Sequence, residues 1–127
     1  MTTKTFTCPC GATDYAACCC RYHGGVAAPD AAALMRSRYS AYVLKLEAYL
    51  LATWHPGTRP AALDLAADNA RWLGLEVKKH DAESADRATV EFVARYKTGG
   101  RAHRLHEISR FVREEGRWFY VDGEFPD

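Results

Sequence analysis

The sequence predicts an α+β fold: a long helix packed on a curved antiparallel sheet, with a short metal-binding appendage in front. Three observations predict it. All five cysteines fall between Cys8 and Cys20, apolar residues recur at helical spacing from Met35 to Leu50, and from Trp72 onward extended segments alternate with turn residues. A chain of 127 residues buries one core of ordinary size and has no room for a second full domain. The expected organisation is therefore an appendage over residues 1–25 and one domain over residues 26–127.

The appendage comes first. The opening MTTKTFTCPCG has no apolar signal-peptide core, and nowhere does an apolar run reach membrane-spanning length. Secretion and membrane spanning are excluded on that reading, and a cytoplasmic protein is expected. Disulfides are uncommon in that compartment, and an odd number of clustered cysteines there points to metal binding before redox chemistry or a strained bridge. Cys8 and Cys10 flank Pro9 and precede Gly11, which accepts the positive φ of a sharp turn beneath two converging thiolates. Cys18, Cys19 and Cys20 follow after a loop containing Thr13, Asp14 and Tyr15, so a helical turn brings four sulfurs around one ion. Zinc suits a shell of thiolates, and His23 is a fifth candidate ligand.

The helical part follows. Pro29 fits the first position of a helix, and Asp30 places a carboxylate in its first turn. Met35, Tyr39, Tyr42, Val43, Leu46 and Leu50 form an apolar stripe, in one long helix or in two with a bend. The breakers of HPGTRP end it before Pro56. A short helix is expected over Ala61–Asn69.

Four extended segments close the chain. WLGLEVKKHDAE, ATVEFVARYK, HRLHEISRFVRE and RWFYVDGEF are separated by SADR, TGG and EG, which predicts an antiparallel meander. Val90, Phe92, Ala94 and Tyr96 alternate with Glu91, Val93 and Arg95, so one face must be covered. The preceding helices are available to cover it, which gives the roll.

Longer strings carry a resemblance. CPCG, Tyr15 and a following cysteine pair resemble the SEC-C motif, a zinc-binding element at the C-terminal tail of the bacterial preprotein translocase ATPase. RYHGG, ALMRSRYSAYV, YLLATWHP and HEISRFVREEGRWFYVDGEF resemble the YchJ-like family of bacterial proteins, and the likeness covers nearly the whole chain. The resemblance implies a nuclear-transport-factor-2-like (cystatin-like) roll behind a zinc knuckle, Zn2+ as cofactor, and the ligands Cys8, Cys10, Cys18 and Cys19. The interval between Cys10 and Cys18 is one residue shorter than the motif's usual one. Counting from Cys10 selects Cys19 and Cys20, whereas anchoring on Tyr15 selects Cys18 and Cys19, so Cys20 stands as the alternative to Cys18.

Function follows from these parts. A formal net charge of +1 gives nucleic-acid binding no support. The expected role is a zinc-binding adaptor whose knuckle meets a protein partner through Lys4, Arg21, Tyr22 and His23, as the SEC-C tail of the translocase docks a chaperone or the ribosome. No catalytic residue is assigned. The alternative is a small-molecule-binding or catalytic roll with a pocket near His106 and Asp122, drawing on Arg36, Arg38, Tyr39, His55, Glu107 and Trp118. Adjacent strand residues face opposite ways, so His106 and Glu107 cannot share a pocket without a bulge. Structural readings stand beside these. Arg36 and Arg38 would pair with Glu107 or Asp122, Trp54, Trp72 and Trp118 would be core or rim aromatics, His55 would cap a helix end, and Asp122–Gly123 would turn. His80 and His103 would be exposed. Monomer and dimer are both compatible with the sequence.

Overall fold

A computed structural model describes residues 7–11, 14–65 and 69–126. Three helices precede four strands among these residues. They are α1 (Cys19–His23), α2 (Ala31–Leu44), α3 (Glu47–Ala52), β1 (Arg71–Ala82), β2 (Arg87–Thr98), β3 (Arg101–Glu114) and β4 (Arg117–Glu124). The strands form one antiparallel meander in the order β1-β2-β3-β4. The expected roll is therefore the observed one.

The start of α2 is shifted by two residues from expectation, from Pro29 to Ala31. Asp30 is the N-cap, and its carboxylate accepts the Ala33 amide at 2.8 Å, with Pro29 outside the helix. The helix stops because Lys45 turns left-handed at φ 58°, and the Leu46 amide reaches back to the Ala41 carbonyl at 2.8 Å. Two helices with a bend result. At the end of α3 the chain is stitched to the sheet, where His55 N donates to Tyr120 O at 2.7 Å and Tyr120 N donates to Thr53 O at 2.9 Å.

No helix forms over residues 61–64, and residues 66–68 lie outside the described set. The Glu47 carboxylate accepts the amides of Leu63 at 3.4 Å and Leu65 at 3.0 Å, and Asp64 is left-handed at φ 59°. An acid on α3 thus holds amides that a helix would have directed along its own axis.

The apolar stripe expected on α2 is only part of what it buries. Ser37, Arg38 and Ser40 are buried beside Leu34, Met35 and Tyr39, whereas Arg36 is exposed. The helix is covered on two sides. Its sheet side meets the inner face carrying Val90, Phe92, Ala94 and Phe111, and its other side meets the cysteine loop. Cys8, Cys10 and Cys19 belong to the same buried cluster as Leu34, Phe92 and Trp118. Among the described residues, no helix is long and apolar enough to cross a membrane.

Candidate functional site

The cysteine loop is shaped by short backbone bonds. Gly11, at φ 109°, returns its amide to the Cys8 carbonyl at 3.0 Å, which closes the turn holding Cys8 and Cys10. Asp14 accepts the Ala16 amide at 3.1 Å, and the Tyr15 carbonyl receives the amides of Cys18 at 3.0 Å and Cys20 at 3.1 Å. This winding directs Cys18 and Cys19 toward the first pair. The four sulfurs of Cys8, Cys10, Cys18 and Cys19 lie within 4.8 Å of one another, and all five cysteines are free thiols. Cys20 stands apart from the four and is exposed.

The spacing fits a tetrahedral ion. Zinc–sulfur bonds of about 2.3 Å make tetrahedron edges of about 3.8 Å. Cys10 Sγ lies 3.6 Å from Cys18 Sγ, and Cys18 Sγ lies 3.8 Å from Cys19 Sγ. Burial, then the adjacent Cys10, pushes the Cys18 thiol up to about 11, and Cys10 with burial raises Cys19 too. Four crowded sulfurs hold their protons unless a cation takes their place, and a bound cation reverses that preference.

A second layer ties the sulfurs to the roll. Ser40 of α2, fully buried, donates its hydroxyl to Cys19 Sγ at 3.3 Å and lies 3.5 Å from Cys8 Sγ. His23, a candidate fifth ligand, lies outside the sulfur group. Its Nδ1 is 2.6 Å from the Tyr15 hydroxyl and its Nε2 is 2.8 Å from the Ser37 carbonyl, and burial holds its pKa below the usual imidazole value. Tyr22 is buried, so of the flanking residues expected at a partner surface only Arg21 is exposed, and Lys4 lies outside the described residues. Tyr22 and His23 instead fasten the loop to the helices.

The roll forms a half-open cavity of about 230 Å³ between α2, the Trp54 segment and the inner sheet face. Arg38, Tyr39 and Glu107 line it, together with Tyr42, Trp54, Ser109 and Tyr120. Neither His106 nor Asp122, around which a pocket was expected, lines this cavity, and Asp122 borders a separate one beside Arg110 and Val121. His106 and Glu107 point to opposite faces, and His106 pairs on the outer face with Glu91 at 2.6 Å. A register shift beside Phe111 sends Asp122 to the outer face as well, opposite Arg110, whose Nε it accepts at 2.6 Å. Asp122 and Gly123 lie inside β4 and make no turn.

The other expectations divide. His55 pairs with Glu114 at 3.0 Å and accepts the Gly57 amide at 3.0 Å. His80 and His103 are exposed, Trp118 is buried in the core, and Trp54 and Trp72 border the cavity. Arg38 forms no ion pair with Glu107 and instead donates from Nη1 to Leu50 O at 2.8 Å and Thr53 Oγ1 at 2.7 Å. The Glu107 carboxylate accepts the Ser109 hydroxyl at 2.5 Å and the Tyr120 hydroxyl at 3.0 Å. Ser109 and Tyr120 escaped the sequence reading. The i, i+2 spacing of Glu107 and Ser109 on one strand face was the available signal for the first.

Comparison with known proteins agrees with this architecture. A family model described as "YchJ, middle NTF2-like domain" matches residues 30–123. UPF0225 proteins of Methylibium petroleiphilum and Chromobacterium violaceum are 61% and 62% identical over 118 and 122 residues, spanning 92% and 91% of this chain and 87% and 90% of their own. The solution structure of a SEC-C motif containing protein from Rhodopseudomonas palustris superposes with a TM-score of 0.82 at 35% identity, over 98% of this chain and 100% of its own. A crystal structure of a SEC-C motif containing protein from Psychrobacter arcticus gives 0.78 at 33% identity, over 91% and 80%.

Proposed function

This chain belongs to the YchJ-like family, the UPF0225 proteins, and from that premise we propose that it is a zinc-binding protein whose knuckle docks a protein partner. Cys8, Cys10, Cys18 and Cys19 are the ligands, and the zinc they hold is structural. The single observation that carries the reading is the sulfur spacing of 3.6 and 3.8 Å, close to the edge of a zinc tetrathiolate. With four thiolates the shell is closed, which leaves no position for a reactive water. Zinc binding expels thiol protons, so affinity falls as pH drops. The partner-facing side is the exposed one, where Arg21 and Val26 are accessible.

Native mass spectrometry tests the metal. One zinc per chain is expected, lost with chelator and absent in Cys10→Ser, but retained in Cys20→Ser. A metal-free wild type, or a Cys20→Ser variant without zinc, refutes the ligand set. A photo-crosslinker placed at Arg21 tests the adaptor role, which requires a defined protein adduct that disappears when zinc is removed.

A further inference from the structure

The cavity inside the roll contains a cation that forms no ion pair among the described residues. Arg38 is 3% exposed, and no carboxylate among the described residues lies within ion-pair distance of it. Two of its five N–H groups, those on Nη1, are used by Leu50 O and Thr53 Oγ1. Nε and Nη2 have no described protein acceptor. Among the described side chains, Trp54 Nε1 alone is both sealed and unpartnered, so Nε and Nη2 of Arg38 must reach open space. The open space bordering Arg38 is the cavity.

The guanidinium is also fixed in place. Its Cζ lies 5.2 Å from the centre of the Trp54 ring and 4.8 Å from that of Tyr120, which partly offsets its loss of water. The free Nε–Nη2 edge presents two parallel N–H groups, the arrangement that grips a carboxylate bidentately. The other charge facing the cavity, Glu107, is engaged by the Ser109 and Tyr120 hydroxyls. Met35, Phe92, Ala94 and Leu105 make an apolar stretch of the remaining wall, beside Tyr39 and Tyr42. At about 230 Å³ the space exceeds the roughly 150 Å³ that admits benzene and falls short of the roughly 300 Å³ of drug-sized pockets. One ring or a branched chain with a single acid group is the matching size.

We propose that this cavity binds a small apolar monocarboxylate, its acid group held by the Nε–Nη2 edge of Arg38 and its body against the inner sheet face. The site is independent of the metal knuckle. It is tested on the full, metal-replete chain by following the Trp54 indole N–H signal during titration with phenylacetate, benzoate and isovalerate, with benzylamine as the oppositely charged control. A saturable shift with at least one acid and none with benzylamine is expected. Arg38→Lys, which keeps the charge but loses the fork, should weaken that binding about tenfold or more. Absence of a saturable shift with all three acids at millimolar concentrations overturns the proposal. So does an equal response to benzylamine, which would mark the cavity as merely apolar. These wild-type titrations decide the matter even if Arg38→Lys does not fold.

Discussion

Replacing Ser40 by alanine separates the metal site from the fold that supports it. The Ser40 hydroxyl is fully buried, donates to Cys19 Sγ at 3.3 Å and sits 3.5 Å from Cys8 Sγ. With metal bound these sulfurs are thiolates, and a hydrogen bond to a charged group contributes about 1.5–3 kcal/mol. Converted at about 1.4 kcal/mol per tenfold, that is a loss of roughly 10- to 100-fold in zinc affinity, the range found for outer partners of metal ligands. A competition titration against a chromophoric chelator reads it directly. Ser37→Ala is the matched control, because Ser37 is equally buried on the same helix but bonds Leu34 O and the Tyr49 hydroxyl, each at 2.7 Å. It should cost about 1 kcal/mol of stability and leave zinc affinity unchanged. Unaltered affinity in Ser40→Ala, or the same loss in both variants, would refute the reasoning.

Two further outcomes follow from the geometry. A Cβ at Gly123 would lie 2.7 Å from Glu107 Cδ and 2.9 Å from its Cγ, so Gly123→Ala forces that carboxylate from its hydroxyl partners. The strain should cost about 1–3 kcal/mol and lower Tm by about 4 °C for each, whereas Gly74→Ala, with nothing within 4 Å, should stay within about 0.5 kcal/mol by the same melt. His23 is held neutral by burial, so its folded pKa lies below the ordinary imidazole value of 6.5. Below that value the unfolded chain takes up a proton that the folded chain refuses, so stability rises with pH through this window and is lost as pH falls from 6.5 toward the folded pKa. The ring-proton NMR shift should titrate below 6.5, and a midpoint at or above it contradicts the buried, neutral imidazole.

The architecture was legible because its patterns are local. Turn residues such as Gly99–Gly100 and Glu115–Gly116, all at positive φ, mark strand ends wherever they occur, and alternation along β2 sets its inner face. What escaped depends on contacts distant in sequence. Ser37 and Ser40 lie outside the apolar stripe of the helix, yet both are buried, Ser40 against Cys8 and Cys19 and Ser37 against Tyr49. Asp122 read as a turn residue or pocket acid because one irregularity beside Phe111 reverses the facing of the residues beyond it. Glu107 and Arg38 were both placed in the pocket, but their partners proved to be Ser109, Tyr120, Leu50 and Thr53 and not each other. In the cysteine loop, counting from Cys10 selected Cys20, whereas the Tyr15 anchor selected Cys18, with Cys20 as its alternative. Winding of the chain about the Tyr15 carbonyl directs one inward and leaves the other exposed.

Burial of Cys8, Cys10 and Cys19 at 1%, 3% and 0% within the main core also governs timing. The residue of α2 that touches Cys8 and Cys19, Ser40, leaves the ribosome after the cysteines themselves. A nascent chain therefore displays these thiols openly until α2 forms and packs beside them. A metal captured in that interval would be enclosed, and its later exchange would wait for the loop to part from α2, so the dissociation rate would measure breathing of the fold more than the strength of metal–sulfur bonds.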